Sequence, residues 1–183
     1  MNQNTLHPNT QTLLSAWKRM TGKSATELPS PQSDEHPDLL AALFVIEKSD
    51  EGLWLFRNAG TEVHRRLGRD PVDHDFLDLW SGYDRLMTSS ILKAVVEHGA
   101  PAILQARGEP LSGQHPRAEI TLASLSNAEK SAPPNRLIGL YQALQTVSAE
   151  DEKPAWNHAL EAIYPPQVEA PKRSHLRLVA NNG

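Results

Sequence analysis

The stretch from Trp54 to Trp80 does most to limit what this chain can fold into. It reads Trp-Leu-Phe-Arg-Asn-Ala-Gly-Thr-Glu-Val-His-Arg-Arg-Leu-Gly-Arg-Asp and, five residues on, Phe-Leu-Asp-Leu-Trp. Leu53 to Arg57 has the composition of a strand. Asn58 stands where a helix cap belongs, and Ala59, Val63 and Leu67 then recur every four residues as a single apolar stripe. Gly68 is a natural stop for that short helix. Asp70 to Asp75 reads as a turn around Pro71, and Phe76, Leu77, Leu79 and Trp80 form an apolar cluster with Asp75 and Asp78 as its polar partners. A strand that runs straight into a short helix needs a sheet beside it and further helices to close over it.

The flanking segments supply both. Leu39 to Glu47 ends in Phe44-Val45-Ile46, which predicts a first strand near 42–48; with the turn Ser49–Gly52 it makes 42–57 a hairpin. The longest predicted helix runs from about Tyr83 to His98, with Tyr83, Leu86, Met87, Ser90, Ile91, Ala94, Val95 and His98 on one face, Gly99 as its cap and Pro101 beyond. Three strands follow, at 102–107, 117–126 and 136–144. The last carries apolar residues on both faces, which predicts a central position. Upstream, Asn9 or Thr10 can cap a helix whose Leu13, Leu14, Trp17 and Met20 share a face and which Gly22 ends; it either docks on its own domain or serves as a dimerisation helix. Residues 23–37 are a Pro-rich connector. After Gln145 the composition changes: Pro154 can open a helix with Trp156, Leu160 and Ile163 on one face, and Pro165, Pro166 and Pro171 then break order. The expected division is 1–35, a flanking helix and linker; 36–146, the folded domain; and 147–183, a C-terminal extension that is partly disordered.

Composition removes several functions. With 183 residues the chain fits one domain with extensions. Its 18 basic and 22 acidic residues give a net charge of -4, so no nucleic-acid partner is expected. There is no cysteine, which rules out disulfides, thiolate metal sites and thiol nucleophiles. The N-terminus lacks the pattern of a signal peptide, and no apolar run approaches the ~20 residues needed to span a bilayer. A cytoplasmic protein with no membrane partner is expected. The eight histidines are dispersed without metal-ligand spacing, and no Gly-x-Ser-x-Gly elbow is present.

The order of elements, β-β-α-α(short)-α-β-β-β, resembles that of a PAS domain. The residues that carry the likeness are Trp54-Leu-Phe-Arg57 running into Asn58-Ala-Gly-Thr61, then Leu67-Gly-Arg-Asp70 and Asp75-Phe-Leu-Asp-Leu-Trp80. They are similar to a compact subfamily of free-standing, single-domain bacterial PAS proteins, as is the tail segment His175-Leu-Arg-Leu-Val179. The likeness covers roughly residues 36–145 plus that fragment. It implies an α+β fold: a five-stranded antiparallel sheet with helices on one face, plus the N-terminal flanking helix. It also implies a sensory or regulatory module in bacterial signal transduction, not an enzyme, that works by protein–protein interaction with or without a small bound ligand. Another signalling protein is the expected partner, and a homodimer is plausible from the family's habits.

Site candidates follow. Arg57, Phe76, Trp80, Tyr83, Met87 and Ile91 are the ligand-pocket candidates between sheet and helices. Arg57 either faces inward, needing Asp75, Asp78 or a bound acid, or forms a structural salt bridge. Trp17, Trp156, Leu176 and Leu178 are the partner-contact candidates; Leu176 and Leu178 alternate with Lys172, Arg173 and Arg177 nearby in a tail that can either add a strand to a partner's sheet or stay disordered. No cofactor is predicted. Haem would rest on His64 or His98, each of which also reads as a surface or capping residue. Non-covalent flavin stays open, while a cysteinyl–flavin adduct is excluded. The alternative function is a small pocket enzyme with an Asp/Tyr acid–base pair drawn from Asp75, Asp78, Asp84 and Tyr83. His64, Arg65, Arg66 and Arg69 form a basic patch, either a solvated face or a dock for an acidic partner.

Overall fold

A computed structural model describes residues 6–21, 37–111, 114–125, 135–144 and 153–165. Its framework is one antiparallel sheet of six strands: β1 (Leu43–Lys48), β2 (Trp54–Ala59), β3 (Ala102–Gly108), β4 (Arg117–Leu125), β5 (Arg136–Ala143) and β6 (His158–Tyr164), in the order β2-β1-β5-β4-β3-β6. The hairpin β1–β2 forms as its sequence predicts. β5 lies between β1 and β4, with Ile46 opposite Leu137 and Ile120 opposite Tyr141, so its apolar residues find cover on both faces.

Among the described residues, four helices complete the fold: α1 (Pro8–Thr21), α2 (Pro37–Ala42), α3 (Thr61–Leu67) and α4 (Gly82–His98), with a 3₁₀ turn at Phe76–Leu79. Side chains from α3, α4 and that turn join one face of the sheet in the main core, which includes Phe44, Ile46, Phe56, Val63, Leu67, Leu92, Val95, Leu104, Ile120 and Leu137. α1 takes the other face. Leu13 clusters with Ala42 and with Leu140 of β5, and the Trp17 indole N–H donates to the carbonyl of Ser124 at 2.8 Å. Thr10, Leu13 and Trp17 are buried while Met20 stays exposed, so the apolar stripe read from the sequence is one residue too long. Gly68 and Gly99 close α3 and α4 with φ of 74° and 56°, left-handed conformations that a side chain disfavours, and each returns its N–H to a carbonyl of the last turn.

Three expectations need correction. The sheet has six strands where five are expected, because the segment read as a helix from Pro154 is strand β6. Trp156, Leu160 and Ile163 match a helical period, but a bulge opposite Gln105/Ala106 shifts the strand's alternation by one residue, so that Leu160 and Ile163 both pack against the core. α3 begins after Gly60, since Asn58 and Ala59 still belong to β2. α4 buries only part of its predicted stripe: Ile91 and Val95 are buried, with Thr88 and Leu92 beside them, whereas Tyr83 and Leu86 are 72% and 66% exposed.

Candidate functional site

The space between sheet and helices is occupied by rings. Phe44, Phe56 and Phe76 meet with centroids 5.4–5.7 Å apart, and Trp80 sits edge-on to Phe76 at 6.4 Å. The Phe44 ring lies directly over Gly139, where a Cβ would collide with it. Of the six ligand-pocket candidates, Phe76, Trp80 and Ile91 are buried in this core and Met87 is half-buried. Arg57 and Tyr83 stand outside it. Arg57 is on the surface, in an ion pair with Asp73 at 2.9 Å, not with Asp75 or Asp78.

Those two carboxylates belong to Arg85, which reaches Asp75 at 3.0 Å and Asp78 at 2.9 Å. Asp75 is buried. One of its oxygens accepts from the backbone N–H of Trp54 and of Leu77, tying the second strand to the 3₁₀ turn that it caps. Asp84 accepts from the backbone N–H of Leu160 at 2.9 Å and so fastens α4 to β6. Asp75 and Asp84 thus each hold a backbone segment in place, and Tyr83 is solvent-facing.

A more unusual group sits where β5 and β6 come under Trp80. The Tyr141 hydroxyl and His158 Nε2 are 2.6 Å apart, and His158 Nδ1 is 2.9 Å from the carbonyl of Trp156. A carbonyl only accepts, so Nδ1 carries the proton and Nε2 accepts from Tyr141. Burial pushes the imidazole down to about 4, against a smaller upward pull from the Trp156 carbonyl, and burial also raises the Tyr141 phenol above its usual range. The Trp80 ring packs on His158 at 5.6 Å. Among the described residues, two buried polar atoms, Trp80 Nε1 and Thr88 Oγ1, have no hydrogen-bond partner. His158 is not signalled in the sequence, because its segment reads as a helix; Tyr141, a polar ring in a mostly apolar central strand, is the available signal.

The remaining candidates are placed as follows. Trp17 is buried under α1. Trp156 is half-buried, with the Arg69 guanidinium 3.3 Å from its ring centre and His74 edge-on at 5.4 Å. Leu176 and Leu178, with the rest of the tail motif, lie outside the described residues. In the basic patch, Arg65 and Arg66 both pair with Glu62, at 2.7 and 2.6 Å, and hold its carboxyl below the usual range. His64 is half-exposed, 3.2 Å from the Ala59 carbonyl, and His98 is exposed at the end of α4. Among the described residues no group of three or more His, Cys, Asp or Glu is placed to hold a metal ion, and no helix is long and apolar enough to cross a membrane.

Comparison with known proteins adds the family. The PAS domain family matches residues 5–142. No curated protein matches the chain. Among solved structures, the LOV protein of Rhodobacter sphaeroides is similar at 15% identity and a TM-score of 0.47, over 61% of this chain and 63% of its own. A variant of that LOV protein matches at 12% identity and a TM-score of 0.46, over 83% of this chain and 74% of its own. An RNA-binding light-oxygen-voltage receptor matches at 19% identity and a TM-score of 0.40, over 59% of this chain and 32% of its own. The chain thus spans less than two thirds of the first of these structures.

Proposed function

Since the chain belongs to the PAS domain family, we propose that it is a regulatory module that works by binding another signalling protein. The observation that carries this reading is the division of its aromatic and apolar residues. Phe44, Phe56, Phe76 and Trp80 fill the space where a ligand would otherwise sit, while Tyr83 and Leu86 are displayed on α4. Exposed Tyr and Leu one helical turn apart, beside half-buried Met87, make a compact apolar contact of the kind that anchors helix-mediated recognition. Trp17 and Trp156, buried and half-buried within the chain, leave α4 as the contact surface this reading favours.

The test pairs two measurements. Affinity purification from the native cell is run with the natural chain and with a Tyr83→Ser/Leu86→Ser variant whose circular dichroism and melting are unchanged. A protein recovered with the first and lost from the second supports the reading; equal recovery overturns the assignment to α4. Native mass spectrometry with a visible spectrum covers the ligand branch. Added mass of a few hundred daltons, or colour, would make a bound small molecule the signal and count against a filled interior.

A further inference from the structure

The first turns of α4 hold two large apolar groups in solvent, Tyr83 and Leu86, with Met87 half-buried beside them. The tail of the chain carries a matching pair. Leu176 and Leu178 stand two residues apart, the spacing that puts both on one side of an extended segment, and Lys172, Arg173 and Arg177 surround them.

The course of the chain puts the tail within reach of this face. The Asp84 carboxylate accepts from the Leu160 N–H, so the start of α4 lies against β6. Leu160 is five residues before Pro165, about 16 Å of strand. The eleven residues from Pro165 to Leu176 span up to about 36 Å when extended, more than enough to run back along β6. The charges match as well. Three carboxylates gather at this end of α4: Asp75, Asp78 and Asp84. Among the described residues the cation bonded to them is Arg85, which serves both Asp75 and Asp78, while Asp84 accepts from a backbone amide. Carboxylates are therefore in excess there, and the Asp78 side chain is 50% exposed and open to a further cation. Residues 166–183 have the opposite balance, with Lys172, Arg173 and Arg177 against Glu169. Opposite charge draws the tail in, and apolar contact selects where it settles.

We propose that Leu176 and Leu178 cover Tyr83 and Leu86 of the same chain, with the surrounding basic residues beside Asp78. The inference rests on the α4 face of the partner-binding reading: the tail holds that face until a partner displaces it. The two fail separately, because affinity recovery tests the partner and the isolated chain tests the tail.

The chain has no cysteine, so Ala180→Cys takes a nitroxide at a single site, next to Val179. Amide NMR signals of the isotope-labelled full chain are recorded with the nitroxide active and again after it is reduced. Tyr83, Leu86, Met87 and Ser90 are expected to lose intensity while the label is paramagnetic and to regain it on reduction, with α1, on the opposite face of the sheet, unaffected. Adding Leu176→Ser/Leu178→Ser to the spin-labelled chain is expected to abolish the loss on α4. An α4 whose signals are untouched by the nitroxide overturns the proposal, as does a loss centred on another element or one that survives the two serines. A mixture of isotope-labelled chain without nitroxide and spin-labelled chain without isotope separates the copies. Unchanged signals in the mixture support covering within one chain; loss on α4 there makes a second copy the occupant and overturns it.

Discussion

His158 is almost wholly buried, uncharged, with both ring nitrogens spoken for. That has a consequence for acid stability, and its sign follows from linkage. An unfolded histidine titrates near 6.5, whereas burial holds this one near 4. Above pH 6.5 both states are neutral and the group has no effect on stability. As the pH falls from 6.5 towards 4, the unfolded chain takes up a proton that the folded chain refuses, so the folded state loses stability. By pH 4.5 the loss amounts to about 2–3 kcal/mol. Urea denaturation at pH 7.5 and 4.5 checks this if His158→Gln is measured alongside, since glutamine can also accept from Tyr141 and donate to the Trp156 carbonyl. Carboxylates titrate equally in both chains; the natural chain should show the larger drop. Equal drops would mean that His158 is not the group responsible.

Among the elements, α1 is the one whose attachment can be tested apart from the rest. It meets the sheet through Leu13, Thr10 and Trp17, on the face opposite the main core. Its start is fixed by the His7 backbone N–H, which donates to the buried carboxylate of Glu119 at 3.2 Å. Trp17→Ala removes the largest apolar group at this contact and its bond to Ser124, at a cost of about 3–5 kcal/mol if the site does not collapse. The amides of residues 8–21 should then exchange hydrogen much faster while β4 and β5 keep their protection; joint loss would mean that α1 is integral to the core. The sequence made this helix legible because Leu13 and Trp17 fall on one face of a clearly bounded segment. The hairpin, the central place of β5 and the glycine stops were legible for the same reason: each rests on a local pattern. Two elements were misread where a pattern has two solutions. α4 carries apolar residues on more than one face, so periodicity finds Ile91 and Val95 but cannot tell that Thr88 and Leu92 are buried beside them and Tyr83 and Leu86 are not. In β6 the bulge breaks the period of two, and Leu160 and Ile163 then fit a helix as well as a strand. The Tyr141–His158 pair is not readable in advance, because it joins segments that only the sheet and helices bring together.

At the scale of the whole molecule, the sheet is completed by a segment far in sequence from the strand it pairs with, β3. β6 sits at the edge beside β3, and its lead-in is fastened to the helical side: the Ala155 N–H donates to the Arg66 carbonyl at 2.9 Å, Trp156 lies under Arg69, and the Asn157 carbonyl accepts from Glu109 at 2.7 Å. His158 then joins Tyr141, and Leu160 and Ile163 pack on the main core. A chain ended at Glu152 would lose all of these and leave the edge of β3 unpaired, an invitation to aggregation. Part-burial of Trp156, Leu160 and Ile163 stabilises the fold by on the order of 5 kcal/mol at ~1.5–3 kcal/mol per side chain. That is comparable with the whole stability of a typical domain, about 5–15 kcal/mol. A chain ended at Pro165 keeps every one of these contacts. The two truncations should therefore part company in urea denaturation and size-exclusion chromatography: the longer one unfolds cooperatively as a well-behaved species, and the shorter one is aggregated or without a cooperative transition. If the chain ended at Glu152 unfolded at the same urea concentration as the one ended at Pro165, β6 would be an ornament on a sheet that stands without it.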